Sequence, residues 1–230
     1  MCPSPLYLQG DISPIQGQYR LQQEYPDQFI VGIDEVGRGP LAGPVVACAV
    51  YLKDPSLDLG LQDSKKMSAK KRESLFESIQ DASFCYAIAM ATEQEIDSLN
   101  ILQATFLAMR RALAAIGFPF LKEEPDKVPL SKGHLPSDSC LFAVDGPLKI
   151  KGLNPDLQIP IVQGDSKIVS ISAASVLAKV YRDRYMKNLS LEYPEYGFEK
   201  HAGYGTKMHR EAIQKYGYSP VHRQSFKLKG

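Results

Sequence analysis

The sequence predicts an α/β or mixed fold built on a central sheet. Three observations carry that expectation. Two apolar, β-branched runs at 29–33 and 45–52 form a hairpin pattern. Helical and strand-like patterns then alternate for most of the chain. The hydrophobic share is 44% of 230 residues, enough for one substantial core.

Taken in order, residues 1–28 hold Pro and Gln and read as a poorly ordered N-terminal extension. This stretch has neither the basic start nor the apolar centre of a signal peptide. Strands are expected at 29–33 and 45–52, then a loop at 53–68. A helix follows at 69–82, with Ser68 as its N-cap and Leu75, Ile79 and Ala82 on one face. Residues 84–90 read as a strand and 93–99 as a short helix. Residues 101–116 read as an amphipathic helix, with Leu102, Phe106, Met109, Leu113 and Ile116 at helical spacing. The polar, Pro-rich stretch 118–139 reads as a long loop. Strands are expected at 140–144 and 158–163, a long helix at 168–193 stopped before Pro194, and a last helix near 207–216.

Composition narrows the function classes. No run of 18 apolar residues occurs, so no membrane span is expected. The four cysteines (Cys2, Cys48, Cys85, Cys140) form no C-x-x-C pair, which argues against a zinc ribbon or a dithiol centre. Such usage fits a reducing, cytoplasmic setting. Net charge is only +1, but basic residues cluster at 65–72 and beyond Lys200. Such patches beside an acidic centre suit a polyanion, but on charge alone a solvated helix face and a basic tail are the favoured explanation.

Three expected strands end in an acid beside a glycine: Asp34 (followed by Glu35), Asp145 and Asp165. In α/β sheets ligands gather where strands end and loops begin. Carboxylates held together repel unless a cation neutralises them, and an all-oxygen set suits Mg²⁺ or Mn²⁺. Two such ions are a standard apparatus for phosphodiester hydrolysis. Adjacent strand residues point to opposite faces, so Asp34 and Glu35 share a site only if the strand ends or bulges there. Taken singly, each acid has a structural reading: Asp34 and Glu35 start a turn, Asp145 belongs to an Asp-Gly-Pro turn, and Asp165 caps the long helix. On that helix Ser172, Ser175, Lys179 and Asp183 share a stripe that faces the site or merely carries an i,i+4 ion pair.

Seven segments, in order, extend the pattern: GIDEVGRGPLAGPVVAC, DSKKMS, NILQATFLAMRRAL, VDG, GDSKIVSISAASVLAKVYRDR, HAGYGTKMH and HRQSF. Together they resemble ribonuclease HII, the type 2 ribonuclease H, over about residues 29–226. The resemblance implies a ribonuclease-H-like mixed central sheet flanked by helices, forming a catalytic domain at 29–194. A small helical C-terminal subdomain at 195–230 would pack on it. It also implies a monomer using two divalent ions, Mg²⁺ or Mn²⁺, to cut the RNA strand of RNA–DNA hybrids. Incision beside single ribonucleotides in duplex DNA is implied as well. The family's four active-site acids fall on Asp34, Glu35, Asp145 and Asp165. Its Gly-Arg-Gly loop falls on Gly37, Arg38 and Gly39, and its substrate-contacting tyrosine on Tyr204.

The physics of these roles is simple. Only the 2′-hydroxyl separates ribose from deoxyribose, and glycines let main chain approach a sugar closely. Lys65 and Lys167 read as phosphate contacts, with a solvated surface as the alternative. His201, His209 and His222 lack a carboxylate partner in sequence and read as structural or phosphate-near. The 118–139 stretch and the segment GPLKIKGLNPDLQ depart from the family pattern. Rival readings are a type 3 ribonuclease H, for which some thirty residues before Phe29 leave too little room for a substrate-binding domain, and a non-catalytic nucleic-acid-binding module.

Overall fold

The computed structural model describes residues 12–56, 59–61, 67–118, 127–136 and 139–227. Its centre is a six-stranded sheet: β1 (Phe29–Val36), β2 (Val45–Leu52), β3 (Ser83–Ala91), β4 (Leu130–Lys132), β5 (Cys140–Asp145) and β6 (Gln158–Ile161). The spatial order is β4-β3-β2-β1-β5-β6. Strands β1 to β4 pair antiparallel, whereas β5 and β6 join β1 in parallel. The helices are α1 (Pro14–Glu24), α2 (Ala69–Ala82), α3 (Glu93–Leu99), α4 (Ile101–Ala115), α5 (Val169–Glu192), α6 (Phe198–His201) and α7 (Lys207–Tyr216).

The period-2 alternation of the strands sorts the core into two layers. Val31, Ile33, Ala47, Ala49, Phe142 and Val144 point to the face covered by α4. Val46, Cys48 and Val50 point to the other face, toward α5 and α2. Ile30, Leu141 and Ala143 share that second face with Ile168, just before α5, and Ile171 of α5. Helix α5 lies so close to β1 that a Cβ on Gly32 would fall 2.1 Å from the Ser170 carbonyl carbon. The glycine is therefore what lets the long helix seat against the middle strand. At its far end α5 carries the C-terminal elements through Met186 and Leu189, packed with Tyr196, Phe198 and Ile213.

Three expectations need correction. Residues 12–28 are not loose. Ser13 and Gln16 form a capping box that starts α1. Leu21 of α1 is fully buried beside Ile30 and Leu141. The Pro-rich stretch is not all loop either, because Leu130–Lys132 adds the edge strand β4 to β3. Lastly, β1 does not stop at residue 33 but runs through Asp34 and Glu35 to Val36 in unbroken register with β2. No bulge or strand end separates those two acids. Among the described residues, no helix is long and apolar enough to cross a membrane.

Candidate active site

Register and alternation position the acids. Ile33 pairs with Val144, so the next step along each parallel strand brings Asp34 beside Asp145. By alternation with Ile30 and Gly32, Asp34 points to the α5 face; Asp145 does so by alternation with Leu141 and Ala143. Asp34 is 5% exposed. Burial first, then the charges of Asp145 and Glu35, push its carboxyl well above the ordinary carboxylate range. Hydrogen bonds from the Ser175 hydroxyl and the Glu35 N–H, the latter 2.7 Å from Oδ1, pull it partly back.

Asp145 is oriented by main chain. Its Oδ1 accepts from the Gly164 N–H at 2.7 Å and the Asp165 N–H at 3.4 Å. Strand β6 ends at Ile161, two residues sooner than the sequence pattern suggests, so Asp165 lies in a short 3₁₀ turn leading into α5. Its side chain is buried, and its carbonyl accepts from Ser172 Oγ at 2.5 Å. The predicted helix stripe therefore does face this corner at its Ser172–Ser175 end. Its outer end is an ion-pair cluster: Asp183 meets Lys179 at 2.6 Å and Arg72 at 3.8 Å.

Glu35 alternates with Ile33 and points to the opposite face, where Arg38 reaches its Oε1 at 3.4 Å. The structure thus brings Asp34 and Asp145 side by side, with Asp165 one hydrogen bond away through its backbone. Glu35 stands at their rim. Among the described residues, no three His, Cys, Asp or Glu side chains gather closely enough to form a finished metal cage. The donor set nevertheless fits a hard divalent cation. It is all carboxylate, and Asp34 within it is destabilised as an anion by burial and by its acidic neighbours, the condition that a bound cation relieves.

Beyond β1 the chain turns through the Gly-Arg-Gly loop. Gly37 has φ +93°, and a Cβ there would strike the Arg182 guanidinium at 2.3 Å. At Gly39 the nearest neighbour of an added Cβ would be the Tyr204 ring, at 3.6 Å. Tyr204, 43% exposed, therefore faces the bare backbone of Gly39 across a narrow gap. Tyr204 also borders a groove of about 800 Å³ that Lys70, Lys179, Arg184, Lys187 and Lys200 help to line.

Other expected residues sit elsewhere or do other work. Lys65 lies outside the described residues. Lys167 donates to the Val162 carbonyl at 3.0 Å. The histidines form a buried core: His209 and His222 hydrogen-bond at 3.0 Å through their Nε2 atoms, and His201 stacks on His209. Reading by motif missed the structural part played by Arg182 and Arg223, both fully buried. One signal was available for Arg182. Ala174, Ala178 and Arg182 recur every four residues along α5, which is the spacing of a single buried stripe.

Comparison with known proteins agrees with this arrangement. The family model described as Ribonuclease HII matches residues 31–119 and 150–229. A ribonuclease HII of Staphylococcus epidermidis is 45% identical over 215 residues, covering 94% of this chain and 75% of the relative. The solved ribonuclease H2 of Pyrococcus horikoshii shares the fold with a TM-score of 0.63 at 24% identity, covering 86% of this chain and 93% of that one. A ribonuclease HIII described as Bst-RNase HIII in complex with Mn²⁺ also shares the fold. Its TM-score is 0.63 at 19% identity, covering 85% of this chain and 65% of that one.

Proposed function

The chain belongs to the ribonuclease HII family, and from that premise we propose that it is an endoribonuclease of RNA–DNA hybrids that also incises duplex DNA 5′ of a single embedded ribonucleotide. Family membership makes it a metal-dependent hydrolase. The observation that carries the finer reading is the pairing of two features. Asp34 and Asp145 lie side by side on adjacent parallel strands, and β1 leads from them directly into a glycine loop closed by Tyr204.

On this reading Asp34, Asp145 and Asp165 hold two divalent cations, Mg²⁺ or Mn²⁺, and Glu35, whose charge still reaches Asp34 although strand alternation turns its base the other way, completes the set from the rim. When bound, the ions supply Lewis acidity toward a phosphodiester and the water that attacks it. The protein's own share is positioning. Gly164 and Asp165 N–H groups aim the Asp145 carboxylate, and Ser175 steadies Asp34. The backbone of Gly37, Arg38 and Gly39 meets the ribose 2′-hydroxyl, the one group that marks RNA. Tyr204 packs on the sugar beyond it, and so restricts which nucleotide sits over the acids. The lysine- and arginine-lined groove beside Tyr204 steers the phosphate backbone, with Lys167 as a further phosphate contact. Attack at the phosphorus leaves a 3′-hydroxyl and a 5′-phosphate. Lys179 and Asp183 line that groove, where their ion pair on α5 holds the Lys179 ammonium in place. The enzyme acts as a cytoplasmic monomer, for which buried thiols at Cys48, Cys85 and Cys140 are suited.

Two labelled substrates test this: a continuous hybrid and a duplex with one ribonucleotide, each with Mg²⁺, Mn²⁺ or chelator. Metal-dependent cleavage of both is expected. Cleavage of the hybrid alone would favour a type 3 specificity. Tight binding of both with no product under any metal would leave a binding module.

A further inference from the structure

Arg182 and Arg223 are buried and, among the described residues, hydrogen-bond to no carboxylate. Each spends its guanidinium on main-chain carbonyls. Arg223, in the C-terminal tail, donates from Nη2 to Gly37 O at 2.6 Å and from Nη1 to Arg38 O at 3.0 Å. It also reaches Gly43 O from Nε at 2.9 Å and from Nη2 at 2.7 Å. Arg182, on α5, donates to Pro44 O at 3.0 Å and Ala42 O at 3.2 Å, and to Ala202 O at 2.9 Å. One fork thus holds the Gly-Arg-Gly loop. The other ties the return of that loop to the segment that carries Tyr204. Leu41 N–H donates to Gly203 O, and Arg223 N–H donates to Leu41 O, so main chain completes the lattice.

Such burial is costly. It pushes Arg223 down to about 9, and the adjacent Arg182 charge adds to the effect, with buried Glu93 opposing it. Two desolvated cations this close disfavour the folded chain, and apolar side chains of similar volume commonly do better. What a guanidinium supplies that Leu or Met does not is several donors in one rigid plane. Seven contacts fix the relative position of two loops that sit on either side of the ribose slot.

We propose that Arg182 and Arg223 are positioning residues for ribose discrimination, setting the width of the slot between the Gly-Arg-Gly backbone and Tyr204. This inference rests on the proposed function. The tail carrying Arg223 is itself clamped from outside: Asp97 accepts from Gln224 N–H and Ser225 N–H, both at 2.9 Å, and from Ser225 Oγ at 2.6 Å. Asp97 also feels the Arg223 charge directly, so a change there loosens Arg223 both through the tail and through that charge pair.

The test compares incision of a one-ribonucleotide duplex with cleavage of a continuous hybrid, for wild type and for Arg182→Lys, Arg223→Lys and Asp97→Ala. The ratio of the two rates cancels any loss of folded protein. A hybrid offers a 2′-hydroxyl in every register and tolerates a slack slot, but a lone ribose does not. The arginine variants are expected to lower the ratio about 10-fold or more, since a shift on the order of 1 Å costs up to ~100-fold in rate. Asp97→Ala is expected to move it the same way, by about 3-fold. Unchanged ratios in folded variants would overturn the proposal. If both arginine variants fail to fold, an unchanged ratio in Asp97→Ala overturns it alone. Failure of wild type to incise the one-ribonucleotide duplex would instead remove the functional reading beneath it.

Discussion

At the scale of single residues, the site is a local defect in stability. Asp34 has its folded pKa raised, so it favours the fold when protonated and opposes it when ionised at neutral pH. Asp34→Asn removes that opposition. Without added metal its Tm at pH 7 is expected to rise by about 2–4 °C, the effect of ~1 kcal/mol in a chain of this size. The same variant should lose both cleavage and the Tm increase that Mg²⁺ or Mn²⁺ gives wild type. Asp145→Asn keeps an oxygen for the Gly164 N–H and is expected to abolish cleavage while hybrid binding persists in a gel-shift assay. Near-normal turnover by either variant would remove that residue from the catalytic set. The resemblance made these acids legible, and their strand-end spacing made them reasonable. Glu35 was the difficulty already visible in the pattern. The regular register of β1 sends it to the face opposite Asp34, where it meets Arg38.

At the scale of elements, the site depends on how α5 meets β1. Gly32 has no room for a side chain against the Ser170 main chain. Gly32→Ala must lift α5 from the strand, with an expected cost of about 1–3 kcal/mol by chemical denaturation. Because Ser172 and Ser175 ride on the same helix, cleavage should fall as well. A variant of wild-type stability would show that the helix has slack. Helices α3 and α4 and strands β2 and β3 follow the periodicity read from the sequence within a residue or two. The misses share a cause. Helix α1 carries little apolar residue of its own and is held by one capping box, by Leu21, and by Gln18, whose Oε1 accepts from Ser170 Oγ at 2.9 Å. Strand β4 has three residues and exists because β3 offers it an edge. Such elements are made by their neighbours, so local pattern hardly marks them.

At the scale of the whole molecule, the C-terminal elements are joined to the β1–β2 loop by buried polar groups rather than by apolar area alone. His209 and His222 are pushed down to about 4, chiefly by burial, and His201 is lowered by the same cause. Against an ordinary value of 6.5, the unfolded chain binds more protons between those limits. The stability these residues contribute is therefore complete above about pH 6.5 and is lost as pH falls toward 4. Thermal unfolding should show a larger drop in Tm from pH 7 to pH 5 for wild type than for His209→Gln/His222→Gln. Equal drops would mean that the acid sensitivity lies elsewhere.

The sequence by itself determined the sheet's main strands, the long helices and the family, and pointed to the acids, because periodicity and motif are local properties of the chain. Only the tertiary structure decided which acids share a face, that Tyr204 stands over Gly39, and that two buried arginines join loops some 140 to 186 residues apart. Those facts depend on strand register and on desolvated contacts between distant segments, and neither leaves a periodic trace in sequence.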